Sequence, residues 1–236
     1  MSSSKADWRV VVPETVDDNQ PLFFSPHEWS TIEAATARIM PTDHDPGARE
    51  AGVVRFIDRY LSGITYIYAA ADGSGFLELA GKEAEAWRAR IFDMRHTYRC
   101  GIRDLDASAA GRSGGLDFVS LSEPEQDAAL EELSGANKPD PLSFETDTIA
   151  GAFQMGAFDE GLPFFQALLL HTRQGFYGDP VYGGNRDRVG WKVIGFPGPD
   201  SLADTISGAY SLRDSYLADY SWPELIPHLR TKEARS

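Results

Sequence analysis

Apolar residues in this chain recur at helical spacing in several separate stretches, and nowhere do they sustain a two-residue alternation. Trp29, Ile32, Ala35 and Ile39 fall on one stripe, which predicts an amphipathic helix ending before Pro41. Ser25-Pro26-His27-Glu28 marks its start as a capping box with proline at the first helical position, and Phe24 stands where a hydrophobic staple begins. A turn over residues 42–46 follows. Val53, Ile57 and Leu61 then form the stripe of a second helix, predicted over residues 48–61, with Arg49, Glu50, Arg55, Asp58 and Arg59 mostly off it. Asp43 suits the cap ahead of that helix, where its carboxylate can accept free backbone N–H groups.

Residues 64–71 read as strand or as helical continuation by periodicity alone, and we assign them as helix or irregular chain. Asp72-Gly73-Ser74-Gly75 is a break, after which residues 79–98 carry Trp87, Ile91 and Met94 on a long surface helix. Residues 107–115, rich in alanine, glycine and serine, predict a flexible connector. Ser122 and Glu125 form another capping box, opening a short helix through Ala129, Leu130 and Leu133. A loop over 134–141, a helix over 144–158 and a last helix over 164–172, started by Pro163, complete the pattern. The expected fold is all-α: one irregular helical domain with long loops over residues 21–236, preceded by an extended N-terminal arm at 1–20. In that arm Trp8, Val10, Val11 and Val12 can lie along another surface.

The 236 residues are enough to bury a substantial core, and the formal net charge of −14 disfavours nucleic acid and anionic membrane as partners. No apolar run reaches the length of a membrane span. The first twenty residues have neither an apolar stretch nor an arginine pair, so the expected location is the cytoplasm; the periplasm is the alternative, should a signal be removed or carried by a partner.

Residues 172–198 depart from everything around them. Glycines, the Asp179-Pro180 turn and Asn185 give a loop shaped to hold one conformation, while Phe176, Tyr177, Tyr182, Trp191 and Phe196 supply more aromatic area than such a loop can bury within itself. Arg173, Arg186, Arg188 and Lys192 outnumber Asp179 and Asp187 there, which gives either a local positive patch or a set of arginines paired with nearby carboxylates. The aromatics either plug the domain core or meet a partner; a division between the two roles fits best. The candidate interface comprises Phe176, Tyr177, Asp179, Pro180, Tyr182, Asn185, Arg186, Trp191 and Phe196, since aromatics and arginines on a preorganised loop dominate protein–protein binding.

Catalytic chemistry finds little support elsewhere. Gly73-Ser74-Gly75 lacks the third glycine of a dinucleotide fingerprint, and no phosphate-binding loop or nucleophile elbow occurs. The five histidines, His27, His44, His96, His171 and His228, form no pair at metal-ligand spacing, and His44 between Asp43 and Asp45 reads as a solvated turn. The single cysteine, Cys100, excludes a disulfide framework or a cysteine-rich cluster within the chain and reads as a small buried residue. The expectation is no catalytic, cofactor or metal site on this polypeptide.

The motif GFYGDPVYGGNRD at 175–187, followed by GWKVIGFPG at 190–198, resembles the signature of the gluconate 2-dehydrogenase subunit 3 family. LFFSPHEW at 22–29, RIMPTD at 38–43 and PGAREAGV at 46–53 resemble the N-terminal part of that family in order and spacing. The resemblance implies a non-catalytic, chaperone-like small subunit bound as a heterodimer to a large FAD-bearing dehydrogenase of the glucose-methanol-choline type. Such complexes oxidise a sugar, sugar acid or glycoside, and a cytochrome c subunit or another acceptor can complete them. The alternative is a stand-alone carbohydrate-binding protein or enzyme in which Tyr182, Arg186 and Trp191 engage a sugar directly.

Overall fold

The computed structural model of the chain describes residues 9–12, 20–70, 74–135, 159–196 and 198. The helix expected over 144–158, most of the arm at 1–20 and the carboxyl-terminal part of the expected domain lie outside them. The described residues are predominantly helical, as expected, with one minimal three-stranded sheet. In chain order the elements are β1 (Val10–Val11), α1 (Pro26–Ile39), α2 (Val53–Leu61), β2 (Tyr68–Ala69), β3 (Phe76–Leu77), α3 (Gly81–Ser113), α4 (Glu123–Ser134), α5 (Phe164–Tyr177) and α6 (Val189–Val193).

Both capping boxes form. At α1 the Ser25 hydroxyl accepts the Glu28 N–H (3.3 Å) while the Glu28 carboxylate accepts the Ser25 N–H (2.8 Å). At α4 the Glu125 carboxylate accepts from the Ser122 N–H (2.9 Å) and hydroxyl (2.5 Å), bonds that hold its pKa below the usual carboxylate range. Arg38 joins these two helices by a bidentate grip on Asp127 (2.7 and 2.9 Å), with Glu123 on its remaining nitrogen at 2.7 Å.

The chain enters α1 under a fixed constraint. Asp58 of α2 is buried, and its carboxylate accepts three consecutive backbone N–H groups, from Leu22 (2.6 Å), Phe23 (3.0 Å) and Phe24 (2.8 Å). A carboxylate accepting three amide N–H groups can sit inside because those hydrogen bonds replace the water it gives up on burial. Arg95 of α3 closes the other end of α2, donating to the Leu61 and Ser62 carbonyls at 2.6 Å each.

Several expectations are corrected. The second helix starts at Val53 and not at residue 48, because Gly52 adopts φ +66° and the preceding residues form turns. Asp43 caps no helix; its carboxylate accepts the Asp45 N–H (2.9 Å) and closes an exposed turn on itself. Residues 64–71 hold strand β2, which pairs antiparallel with β3, as β1 does on the other side. Val10 and Val11 thus lie along another surface of the same chain, the sheet edge. The connector expected at 107–115 is the last part of α3, which runs unbroken for 33 residues to Gly114 in the left-handed region. At 1.5 Å per residue that is about 50 Å of helix.

The main core lies where α1, α2, α4 and α5 surround the second half of α3, with Ile32, Ile57, Leu61, Tyr98, Leu105, Phe118 and Leu168 fully enclosed. Gly101 allows α3 and α5 to touch, since a β-carbon there would fall inside the Phe164 ring. A smaller cluster, Leu79, Ala84, Trp87 and Ile91, lies along the first half of α3 with Ile67 and Tyr60 against it. The Trp87 indole N–H donates to the Ile64 carbonyl there (2.9 Å).

Candidate functional site

The glycine- and aromatic-rich segment begins as helix. The helix expected over 164–172 continues to Tyr177, so Phe176 and Tyr177 belong to α5 and not to a loop. Gly175 makes the extension possible, as its face lies against Phe56 and Val53 of α2. Beyond Gly178 the chain makes a short 3₁₀ turn at Pro180–Tyr182, another at Arg186–Arg188, and the short helix α6. The Asp179 carboxylate opens the first turn by accepting the Val181 N–H (3.0 Å).

Asn185 organises the whole coil. It is fully buried at φ +47°; its N–H donates to the Gly175 carbonyl (2.6 Å), its side-chain amide donates to the Gly178 carbonyl (2.8 Å), and its side-chain oxygen accepts the Gly190 N–H (2.8 Å). Gly190 in turn must be glycine, because a β-carbon there would collide with the Phe176 carbonyl. Asp187 (φ +54°) and Arg188 (φ +58°) also occupy the left-handed region. Strain of this kind costs on the order of 1–3 kcal/mol per residue and persists only where surrounding bonds impose it. One of those bonds runs from the Arg186 N–H to the Ala51 carbonyl (2.9 Å), fastening the coil to the start of α2.

The side chains of this segment divide between buried and exposed positions. Phe176 (2% exposed) and Trp191 (5%) face inward, the Trp191 indole donating to the Tyr177 carbonyl (2.8 Å) and its ring meeting Phe196 edge-on at 5.2 Å. Tyr177, Val193 and Ile194 are exposed, the last at 56%. Tyr182 is half-buried and borders a small cavity of ≈ 50 Å³ with Phe56, Tyr60 and Tyr66. Arg186 is exposed, and Asp179 and Pro180 are partly so. Because the Trp191 ring is covered and its N–H is engaged, it offers no open face on which a sugar could stack.

A second group of polar residues escaped the sequence reading. Asp159 and His171 are each 1% exposed and meet at 3.0 Å through His171 Nε2. A carboxylate only accepts, so Nε2 carries a proton, and Nδ1 faces the buried Tyr98 hydroxyl at 2.8 Å. The same carboxylate receives the Tyr60 hydroxyl (2.6 Å) and the Arg90 guanidinium (2.6 Å from Nε). Burial alone would raise the Asp159 pKa, but the His171 and Tyr60 hydrogen bonds, with the charges of His171 and Arg90, hold it well below the usual range. Burial first, and then the bond to Asp159, pushes the Tyr60 hydroxyl far up; Tyr98 is raised by burial and by the charge of Asp159. Both ring nitrogens of His171 and both oxygens of Asp159 are therefore committed inside the protein, which makes the group a brace between α2, α3 and α5. The signal lay in spacing: Ala167, Leu168, His171, Thr172, Gly175 and Phe176 form one buried stripe on α5.

His44 stands exposed between Asp43 and Asp45, as a solvated turn should. Cys100 is half-buried on α3, within 3.1 Å of Arg103. Among the described residues no helix is long and apolar enough to cross a membrane.

Compared with known protein families, residues 26–198 match the family described as gluconate 2-dehydrogenase subunit 3. No curated protein and no solved structure matches the chain. The matched span takes in α1 through α6 and with them the Asn185 coil.

Proposed function

Because the chain belongs to the gluconate 2-dehydrogenase subunit 3 family, we propose that it is the non-catalytic small subunit of an FAD-dependent dehydrogenase complex, binding and stabilising a large flavin-bearing subunit. The large subunit is of the glucose-methanol-choline type and oxidises a sugar, sugar acid or glycoside, with electrons passing to a cytochrome c subunit or another acceptor. The single observation that carries the reading is the family match over residues 26–198. Two features of the molecule support it. The most specialised segment is devoted to shape, with Asn185 and Gly190 locking a coil that displays Tyr177, Val193 and Ile194. The buried Asp159 has its carboxylate oxygens committed to internal partners. Rigid display of apolar and aromatic side chains lowers the ordering cost of association.

Co-expression tests the reading. The chain and the large subunit are expressed together and apart, and flavin absorbance and dye-linked sugar oxidation are recorded for each. Flavin and activity confined to the large subunit, with its soluble yield raised by the small one, is the expected outcome. Stoichiometric FAD on this polypeptide alone refutes it.

A further inference from the structure

Arg59 of α2 is half-buried among aromatic rings, its guanidinium over the face of the buried Phe76 ring at 5.0 Å. Among the described residues no carboxylate lies within ion-pair distance of it, and no oxygen accepts from its N–H donors. Burial pushes its pKa below the ordinary arginine value, the phenols of Tyr66 and Tyr182 opposing. An arginine stays charged even so, and the face of one phenyl ring offsets only part of the cost of withdrawing that charge from water.

Arg59 lines the ≈ 50 Å³ cavity that Tyr182 borders. Three parts of the chain build it: Phe56 and Arg59 from α2, Tyr66 and Ile67 from the segment before β2, and Tyr182 from the first 3₁₀ turn of the coil. Tyr60 adds only its ring, since its hydroxyl is committed to Asp159 (2.6 Å). The coil is fitted to the arginine: at Gly183, φ +98°, a β-carbon would stand 3.6 Å from Arg59 Cδ, so the turn after Tyr182 lies along the arginine's stem. The Tyr66 and Tyr182 hydroxyls have no hydrogen-bond partner among the described residues. One guanidinium and two phenols able to donate thus border a cavity whose other side chains are apolar or aromatic. A single water needs about 10–15 Å³ of such space, so ≈ 50 Å³ takes about four non-hydrogen atoms, the number in a carboxylate and the methylene that bears it.

We propose that this cavity is a binding site for a carboxylate on a short apolar stem, its oxygens meeting the planar Arg59 fork with Tyr66 and Tyr182 donating beside it, and its methylene lying against Phe56 and Ile67. The carboxylate belongs either to a small free acid or to an aspartate or glutamate side chain of the large dehydrogenase subunit. The second source rests on the small-subunit reading above.

The test titrates the full isotope-labelled chain with propionate, and with propionamide as its neutral counterpart, following the backbone amides of residues 182–184 by nuclear magnetic resonance. The expected result is saturable propionate binding in the millimolar range, about tenfold or more tighter than propionamide. Arg59→Gln should weaken it by about tenfold or more, and Tyr182→Phe, which keeps the ring and removes only the hydroxyl, by about threefold. Arg173→Gln, on an exposed position of α5 outside the cavity, should leave it unchanged. Shifts that do not saturate, equal binding of propionamide, or equal affinity in all variants overturn the proposal. Absence of binding overturns it too, since any part of the full chain already filling the cavity would show in that way. Co-purification with the large subunit then separates the two sources. Loss of the complex with a folded Arg59→Gln chain assigns the carboxylate to the large subunit, and an intact complex assigns it to a free acid. Failure of the unaltered chain to hold the large subunit at all overturns the small-subunit reading and leaves the propionate site standing.

Discussion

The Asp159 carboxylate and the His171 imidazole meet at 3.0 Å where each is 1% exposed, and together they tie the start of α5 to α2 and α3 through Tyr60, Tyr98 and Arg90. Removing one member leaves the others buried and unmatched. Asp159→Asn should cost about 3–5 kcal/mol, a fall in Tm on the order of 10 °C. An unchanged Tm by calorimetry would show the brace to be dispensable.

The same carboxylate sets an acid limit. Its folded pKa lies below the ordinary 3.8, so its contribution is complete above the ordinary carboxylate range and is lost as pH falls through it. Denaturant midpoints measured from neutral pH down to about pH 3 should fall more steeply for the unaltered protein than for Asp159→Asn. Parallel curves would assign the acid limb to other groups.

His27 acts in the opposite direction. The hydrogen bond to Asp106 at 2.7 Å, aided by the charges of Asp106, Asp117 and Glu28 and opposed by burial, raises its pKa above 6.5. Stability from this pair is complete below the unfolded value and declines as pH rises through the folded one. The side chain is 47% exposed, so the effect is small: a slight fall in Tm on going from about pH 6 to about pH 8, absent in His27→Gln. Nuclear magnetic resonance titration of the ring gives the pKa directly, and a value at or below 6.5 would contradict the assignment.

Two glycines on α3 should respond in opposite senses. Gly101→Ala forces a methyl into the Phe164 ring and should destabilise by about 1–3 kcal/mol. Gly111→Ala meets nothing within 4 Å and should stabilise by about 0.5–1 kcal/mol. Urea unfolding of the two variants decides, and equal signs would refute the close approach of α3 and α5.

Within the coil, truncations should separate stability from assembly. Trp191→Ala removes a buried ring and should lower stability by about 3–5 kcal/mol. Tyr177→Ala and Tyr182→Ala should leave Tm nearly unchanged while weakening capture of the large subunit, with the Michaelis constant of the assembled enzyme unaffected. Glu131→Ala, on the exposed side of α4, is the control for both measurements. A raised Michaelis constant with intact assembly would place these tyrosines beside the substrate.

The elements legible in the sequence were those whose signal is local. Ser25 with Glu28 and Ser122 with Glu125 announce helix starts within four residues, and both form. The misread elements depend on contacts distant in sequence. The end of α3 looked like a linker from its alanines and glycines, yet alanine favours helix, and Ala109 is fully buried in the main core. The strands are two residues each, too short for an alternation to register. Gly175 and Gly190 read as turn glycines, whereas Gly175 lies within α5 against Phe56 and Gly190 lies within α6 against the Phe176 carbonyl. His171 was within reach, since the stripe from Ala167 to Phe176 places it inward; Asp159 follows no period and comes to it only through the fold.

Since α3 serves both hydrophobic clusters, its two halves answer to different neighbours. The half after Met94 is enclosed by α1, α2, α4 and α5, while among the described residues Ala84, Trp87 and Ile91 pack only with Leu79, Tyr60 and Ile67. Amide exchange along this one helix should therefore be graded, with the first turns opening sub-globally alongside the sheet and the later turns exchanging only when the whole molecule unfolds. A graded pattern would make one continuous element of secondary structure span two cooperative units, with the boundary between them inside the helix rather than at a loop.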